Sequence, residues 1–118
     1  MIIRSVNDVI GTERDVQGNG WKSRRIVLAK DGLNYSIHET IIDANATLRF
    51  TYKHHRETVY CIEGTATLTD VSAGTKTELS HGSLYSAGID EEHIVQTNTR
   101  VKFLCIFEPA LTGREEAD

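Results

Sequence analysis

A chain of 118 residues and 13.2 kDa has room for one domain of two packed layers, and excludes a dinucleotide domain joined to a separate substrate domain. Thirteen Lys and Arg against seventeen Asp and Glu leave a formal net charge of −4, which argues against binding nucleic acid through bulk charge. No apolar run approaches the roughly 18 residues that a membrane-spanning helix needs.

The opening Met1-Ile2-Ile3-Arg4-Ser5 is followed at once by Asn7 and Asp8, so no signal peptide is expected. Ser5-Val6-Asn7-Asp8 has capping-box form and predicts one short N-terminal helix, stopped by Gly11. From Trp21 onward side-chain type alternates along the chain. Strands are predicted at 21–28, 35–42, 47–53, 58–63, 65–71, 76–79, 83–86, 93–97 and 100–107, with turn signals such as Gly18-Asn19-Gly20, Asp31-Gly32 and Ser72-Ala73-Gly74 between them. Many short strands with such turns predict an all-β sandwich or barrel, as a single domain over residues 1–118. Cys61 and Cys105 lie inside apolar runs without CxxC spacing and are expected to be reduced core thiols of a cytoplasmic protein.

Alternation also groups side chains by face. Trp21, Ser23, Arg25 and Val27 share one side of their strand, and Ser36, His38, Thr40 and Ile42 one side of the next. Leu48, Phe50 and Tyr52 form a third set, Val59 and Cys61 a fourth, and Val101, Phe103, Cys105 and Phe107 a fifth. A face that only packs would use Val, Ile and Leu. Polar groups on an inward face are costly unless they meet one another, water or a ligand. Their recurrence on several strands predicts a lined cavity.

Glu57 is followed by six residues and then Gly64, and farther on come Gly82-Ser83-Leu84-Tyr85 and His93. These spacings resemble the two halves of the cupin signature, whose jelly-roll barrel carries a metal inside. The usual H-x-H pair is missing, since Phe50-Thr51-Tyr52 or its neighbours stand there, and Tyr85 replaces the second half's histidine. Glu57, Tyr85 and His93 remain as candidate ligands. One carboxylate, one phenolate and one imidazole with open positions suit iron better than a closed structural zinc site.

Longer stretches are similar to one family in particular. Gly20-Trp21 with Ser23-Arg24-Arg25, Ser36-Ile37-His38-Glu39-Thr40, the run from His55 to Gly64, and Leu111-Thr112-Gly113-Arg114-Glu115 all resemble the ectoine synthases, nearly end to end and in register. The resemblance implies an all-β cupin jelly roll and a metal-assisted ring closure, with loss of water, of N-γ-acetyl-2,4-diaminobutyrate to ectoine. It places Glu57, Tyr85 and His93 at the iron ligands, with Fe2+ as the expected ion. Trp21, Arg25, His38, Thr40, Tyr52, Cys105 and Phe107 fall at substrate-pocket positions, and His55, Tyr52 and Glu115 are the candidate bases, which the sequence does not rank. It further implies a homodimer in a bacterial cytoplasm, acting in osmotic stress protection on a small molecule, without nucleic acid or membrane partners.

The likeness departs in places. Family members often carry a histidine two residues after the position of Glu115, where Ala117 stands here, and they usually run further than Asp118. The C-terminal segment is expected to help close the pocket, so this departure bears on turnover more than on binding. Thr65-Ala66-Thr67 replaces acidic residues, and the loop 87–92 is atypical. The competing readings are another small iron-dependent cupin enzyme, such as a dioxygenase, and a non-catalytic cupin that binds ectoine or its precursor. A purely structural homodimer fits less well with the polar inward faces.

Overall fold

The computed structural model describes residues 1–115. Its larger antiparallel sheet is built from β1 (Asp15–Gly18), β2 (Trp21–Val27), β3 (Ser36–Ile42), β10 (Val101–Glu108), β5 (Arg56–Glu63) and β8 (Leu84–Ala87), side by side in that order. The smaller sheet holds β4 (Thr47–Phe50), β9 (His93–Thr97), β6 (Ala66–Asp70) and β7 (Thr75–Leu79), again in that order. Ile42, Val59, Cys61, Val101 and Phe103 of the first sheet share one core with Ala66, Leu79 and Val95 of the second. The sheets therefore pack face to face, as the alternation of β10, buried at every second residue from Val101 to Phe107, requires. Cys61 and Cys105 are both buried and free.

The predicted N-terminal helix is a single 3-10 turn, Val6–Asp8, in which the Ser5 amide donates to Asp8 Oδ2 at 2.8 Å. It goes no further because Gly11, at φ +81°, takes the backbone out of the right-handed helical region. A second 3-10 turn, Ala29–Asp31, follows β2. Asp31 there accepts from the Leu28 amide at 2.9 Å and from Arg14 at 2.9 and 3.0 Å, with Arg4 at 3.1 Å. This network fastens the N-terminal segment to the large sheet. The paired Arg14, against the opposition of burial, and then the Leu28 amide and Arg4 hold the Asp31 carboxyl well below the usual carboxylate range.

Gly64 explains one half of the cupin-like spacing. It leaves β5 at φ +88°, and a Cβ there would lie 2.4 Å from the Arg100 carbonyl oxygen. Only glycine allows both that backbone angle and that approach, so the chain can cross from one sheet to the other at this point.

Candidate active site

Residues aligned across the large sheet form the floor of a cavity of about 490 Å3. Register sets Arg25 opposite His38, His38 opposite Cys105, Cys105 opposite Val59 and Val59 opposite Tyr85. One row further along, Phe107 lies opposite Glu57. The cavity lining includes Trp21, Arg25, His38, Thr40, Tyr52, His55, Glu57, Tyr85, Cys105, Phe107 and Glu115. His93 comes from β9 of the smaller sheet and reaches Glu57 from behind. Of the candidate site residues named from the sequence, all but His93 line this space, and His93 adjoins it through Glu57. Ala117 lies outside the described residues.

At one end, Glu57 is buried in a ring of donors. Its Oε1 is 3.2 Å from His93 Nε2, its Oε2 is 3.5 Å from the Tyr52 hydroxyl, and the Tyr85 phenol lies near enough for the Glu57 charge to act on it. His93 Nδ1 lies 3.0 Å from the Glu91 carbonyl oxygen. A carbonyl only accepts, so Nδ1 carries the proton. In the neutral ring, Nε2 then turns a lone pair toward a carboxylate oxygen, an arrangement that calls for a positive charge between them. A proton supplies one, and the structure accordingly favours the imidazolium: burial opposes it, but the bonds to Glu57 and Glu91 and the carboxylates of Glu57 and Asp70 outweigh burial and raise His93. A metal cation supplies the same charge.

The donor chemistry fits a hard cation. Among the described residues, no three His, Cys, Asp or Glu side chains converge, so a third donor beside Glu57 and His93 would be a phenol, either Tyr52, whose hydroxyl bonds Glu57, or Tyr85, the one expected from the sequence. Without a cation, burial and then the neighbouring Glu57 hold the Tyr85 phenol well above its ordinary range. A bound cation inverts this preference, because it stabilises the phenolate directly. Glu57, Tyr85 and His93 come from β5, β8 and β9, that is, from both sheets.

The opposite end is built from donors without such a demand. Arg25 Nε donates to Ser23 Oγ at 3.4 Å, and Ser23 Oγ is 3.3 Å from His38 Nδ1. Ser23 Oγ accepts from arginine on one lone pair; when it donates to Nδ1 the ring proton is on His38 Nε2, and when Nδ1 donates to its second lone pair Nε2 is a bare acceptor. That Nε2 is buried and has no hydrogen-bond partner among the described residues. Burial, and then the charge of Arg25, lower His38 to about 3, so the ring is neutral at physiological pH. A buried ring nitrogen without a partner in a polar cavity points to a ligand group that hydrogen-bonds it.

Residues 109–115 rim the mouth. The Leu111 amide donates to Ser36 Oγ at 3.2 Å, and Arg25 Nη1 donates to the Gly113 carbonyl at 2.9 Å. His55 Nδ1 lies 2.8 Å from the Pro109 carbonyl, which places its proton on Nδ1 and a lone pair on Nε2. Nε2 is 3.9 Å from Glu115 Oε2. Glu115 itself accepts from the Thr112 amide and hydroxyl and from the Gly113 amide. Burial would raise its carboxyl, but these bonds bring it down to about 2. Burial, followed by nearby Glu57, keeps the Cys105 thiol well above its ordinary range, so Cys105 lines the cavity as a neutral group.

Sequence reasoning placed Ser23 on the right face but gave it no part in the site. The carbonyls of Glu91, Pro109 and Gly113 left no signal at all, because every residue has one.

Comparison with known proteins shows the family and the fold. The chain matches the family model described as ectoine synthase over residues 1–118. It is 46% identical to the L-ectoine synthase of Nocardia farcinica over 118 residues, covering 100% of this chain and 90% of that one. The L-ectoine synthase of Mycolicibacterium vanbaalenii is 45% identical, with 100% and 91% covered. Among solved structures, the ectoine synthase from P. lautus superimposes with a TM-score of 0.91 at 33% identity, over 96% of this chain and 81% of that one. A putative ethanolamine utilization protein of Salmonella typhimurium, at 20% identity and a TM-score of 0.70, shares the fold. Strand order, cavity and full-length similarity agree: this chain belongs to the enzyme family of the ectoine synthases.

Proposed function

We propose that this chain binds N-γ-acetyl-2,4-diaminobutyrate in the cavity and closes it to ectoine with loss of water. The observation that carries this reading is the division of the cavity into two chemically different ends. Arg25 on β2 and Glu57 on β5 stand three strand positions apart, on the order of 14 Å at about 4.8 Å per strand. A short flexible chain with a carboxylate at one end and an amide at the other spans what their side chains leave open.

In this reading Arg25 and His38, with its proton on Nε2, receive the carboxylate, and Thr40 adds a further hydrogen bond. Trp21 and Phe107 wall the ligand, so the α-amine and the acetamide carbon are held near the roughly 3–3.5 Å needed for attack. Glu57, Tyr85 and His93 hold an iron(II) ion, which when bound supplies Lewis-acid polarisation of the amide carbonyl. The α-amine arrives as an ammonium and has to lose a proton before it can attack. His55 takes that proton on Nε2, the atom left basic by the Pro109 carbonyl. Glu115, ionised and fixed by its own turn, faces the imidazolium that results. As the C–N bond of the ring forms and the acetamide C–O bond breaks, the oxygen leaves as water with two protons, the one held by His55 and a second from the attacking nitrogen, which keeps one hydrogen. The protonated cyclic amidine keeps the charge that the ammonium brought. The Tyr52 hydroxyl, donating to Glu57, orients that carboxylate.

The same reading includes a homodimer in a bacterial cytoplasm. Ile37, Ile106, Leu104, Tyr60 and Leu84 neighbour one another across the outer face of the large sheet, with Tyr60 and Leu84 exposed, and a second copy covers such a stripe well. Light scattering of the purified protein tests this. Two buried thiols without a disulfide suit a reducing compartment.

The test of the reaction is incubation of the anaerobically iron-loaded protein with N-γ-acetyl-2,4-diaminobutyrate, followed by NMR. Ring formation is expected. Tight binding of the precursor without ring formation would replace this reading with a non-catalytic binding role.

A further inference from the structure

Two glycines border the turn between β1 and β2, and they serve different ends. Gly20 has φ +85°, so its backbone explains it. Gly18 closes β1 in extended conformation outside the left-handed region, which any residue adopts. What forbids a side chain there is space. Gly18 is paired with Trp21 across the two strands, so the two residues face the same side of the sheet. The indole lies across the bare Cα: a Cβ at Gly18 would sit 2.2 Å from Trp21 Cε2 and 2.4 Å from both Cζ2 and Nε1. Three atoms of a rigid ring overlap at once, so relief requires the whole indole to swing off the strand.

We infer that Gly18 is a positioning residue for the ligand cavity, seating the Trp21 indole flat on the edge strand so that it forms one wall. Val16, two residues earlier on the same face of β1, lines the same cavity, so the edge strand contributes a side chain at one position and a berth at the next. This role rests on reading that cavity as the ligand site.

Trp21 is the single tryptophan of the chain, which makes the inference directly readable. In the full-length protein without ligand, Gly18→Ala should shift tryptophan emission to the red and weaken the near-ultraviolet dichroism of the indole. Gln17→Ala, which alters the exposed neighbour on the other face, should leave both spectra unchanged. Titrated with ectoine, Gly18→Ala should bind about tenfold more weakly, the scale of a lost aromatic wall. In a Trp21→Ala background, adding Gly18→Ala should change affinity by less than about twofold, because the two residues act as one unit. If Gly18→Ala alone fails to fold, adding Trp21→Ala must restore folding, and a double variant that stays unfolded overturns the inference. Wild-type spectra and affinity in Gly18→Ala overturn it too, as does an equal loss in both backgrounds. A wild-type protein that binds no ectoine overturns the ligand reading itself, whatever the spectra of Gly18→Ala show.

Discussion

His93 Nε2 and Glu57 Oε1 stand 3.2 Å apart, although the Glu91 carbonyl has already claimed the proton of a neutral His93 ring. A ring nitrogen and a carboxylate meet here from two different sheets, and a positive charge between them, a proton or a metal cation, makes the contact favourable. Replacing Glu57 by Ala removes the charge that draws a cation to this point. Elemental analysis of iron-loaded Glu57→Ala should find the metal lost, and ring closure should fall by about 10²-fold or more. Retention of both at wild-type level would refute the assignment.

His38 offers a contrast between stability and function. Its Nε2 is buried without a partner among the described residues, a cost that a hydrogen bond from or to a ligand would relieve. Removing the ring nitrogen by His38→Leu should raise KM about tenfold while kcat stays within about twofold, the pattern of lost binding. The thermal midpoint of the ligand-free variant should hold or rise. A lower midpoint with unchanged KM would make His38 a packing residue.

Asp31 sets an acid limit. Its side chain is 10% exposed and is bonded by both Arg4 and Arg14. Because its folded pKa lies below the unfolded value of about 3.9, the charged network contributes full stability above that value and loses it as pH falls further. Urea unfolding at pH 7 should show Asp31→Asn destabilised by about 3 kcal/mol, since Arg14 is left buried without its partner. At pH 3 the gap between variant and wild type should narrow. A constant gap across this range would assign the effect to packing.

Gly64 tests the crossing between sheets. Gly64→Ala combines a left-handed backbone with a Cβ driven into the Arg100 carbonyl. A loss of about 2–4 kcal/mol in chemical denaturation is expected. A loss under about 1 kcal/mol would mean that the 100–101 segment gives way easily.

The sequence read well where burial repeats. Nine predicted strands have counterparts, since each alternates or carries an apolar run against a packed partner. β1 escaped prediction: Asp15-Val16-Gln17-Gly18 has one apolar side chain, pairs on one side only, and contains the glycine over which Trp21 lies. The strand predicted over 47–53 stops at Phe50, because its partner β9 begins at His93, opposite Phe50. β5 starts at Arg56, two residues earlier than predicted, held by Glu108 and Phe107 on β10. The site followed the same division. Alternation gathered the side chains of Trp21 with Arg25, His38 with Thr40, and Cys105 with Phe107. The proton placement on His55 and His93, which decides what each can do, depends on backbone carbonyls, Pro109 in a distant segment and Glu91 two residues before His93, and becomes visible only in three dimensions.

The fastening of residues 109–115 along the cavity mouth has a practical side. Arg25 grips Gly113, and Glu115 itself belongs to the lining. Any change at Arg25 therefore unties the rim as well as altering the charge in the cavity, so Arg25→Lys, which keeps the charge, is the control that separates the two effects.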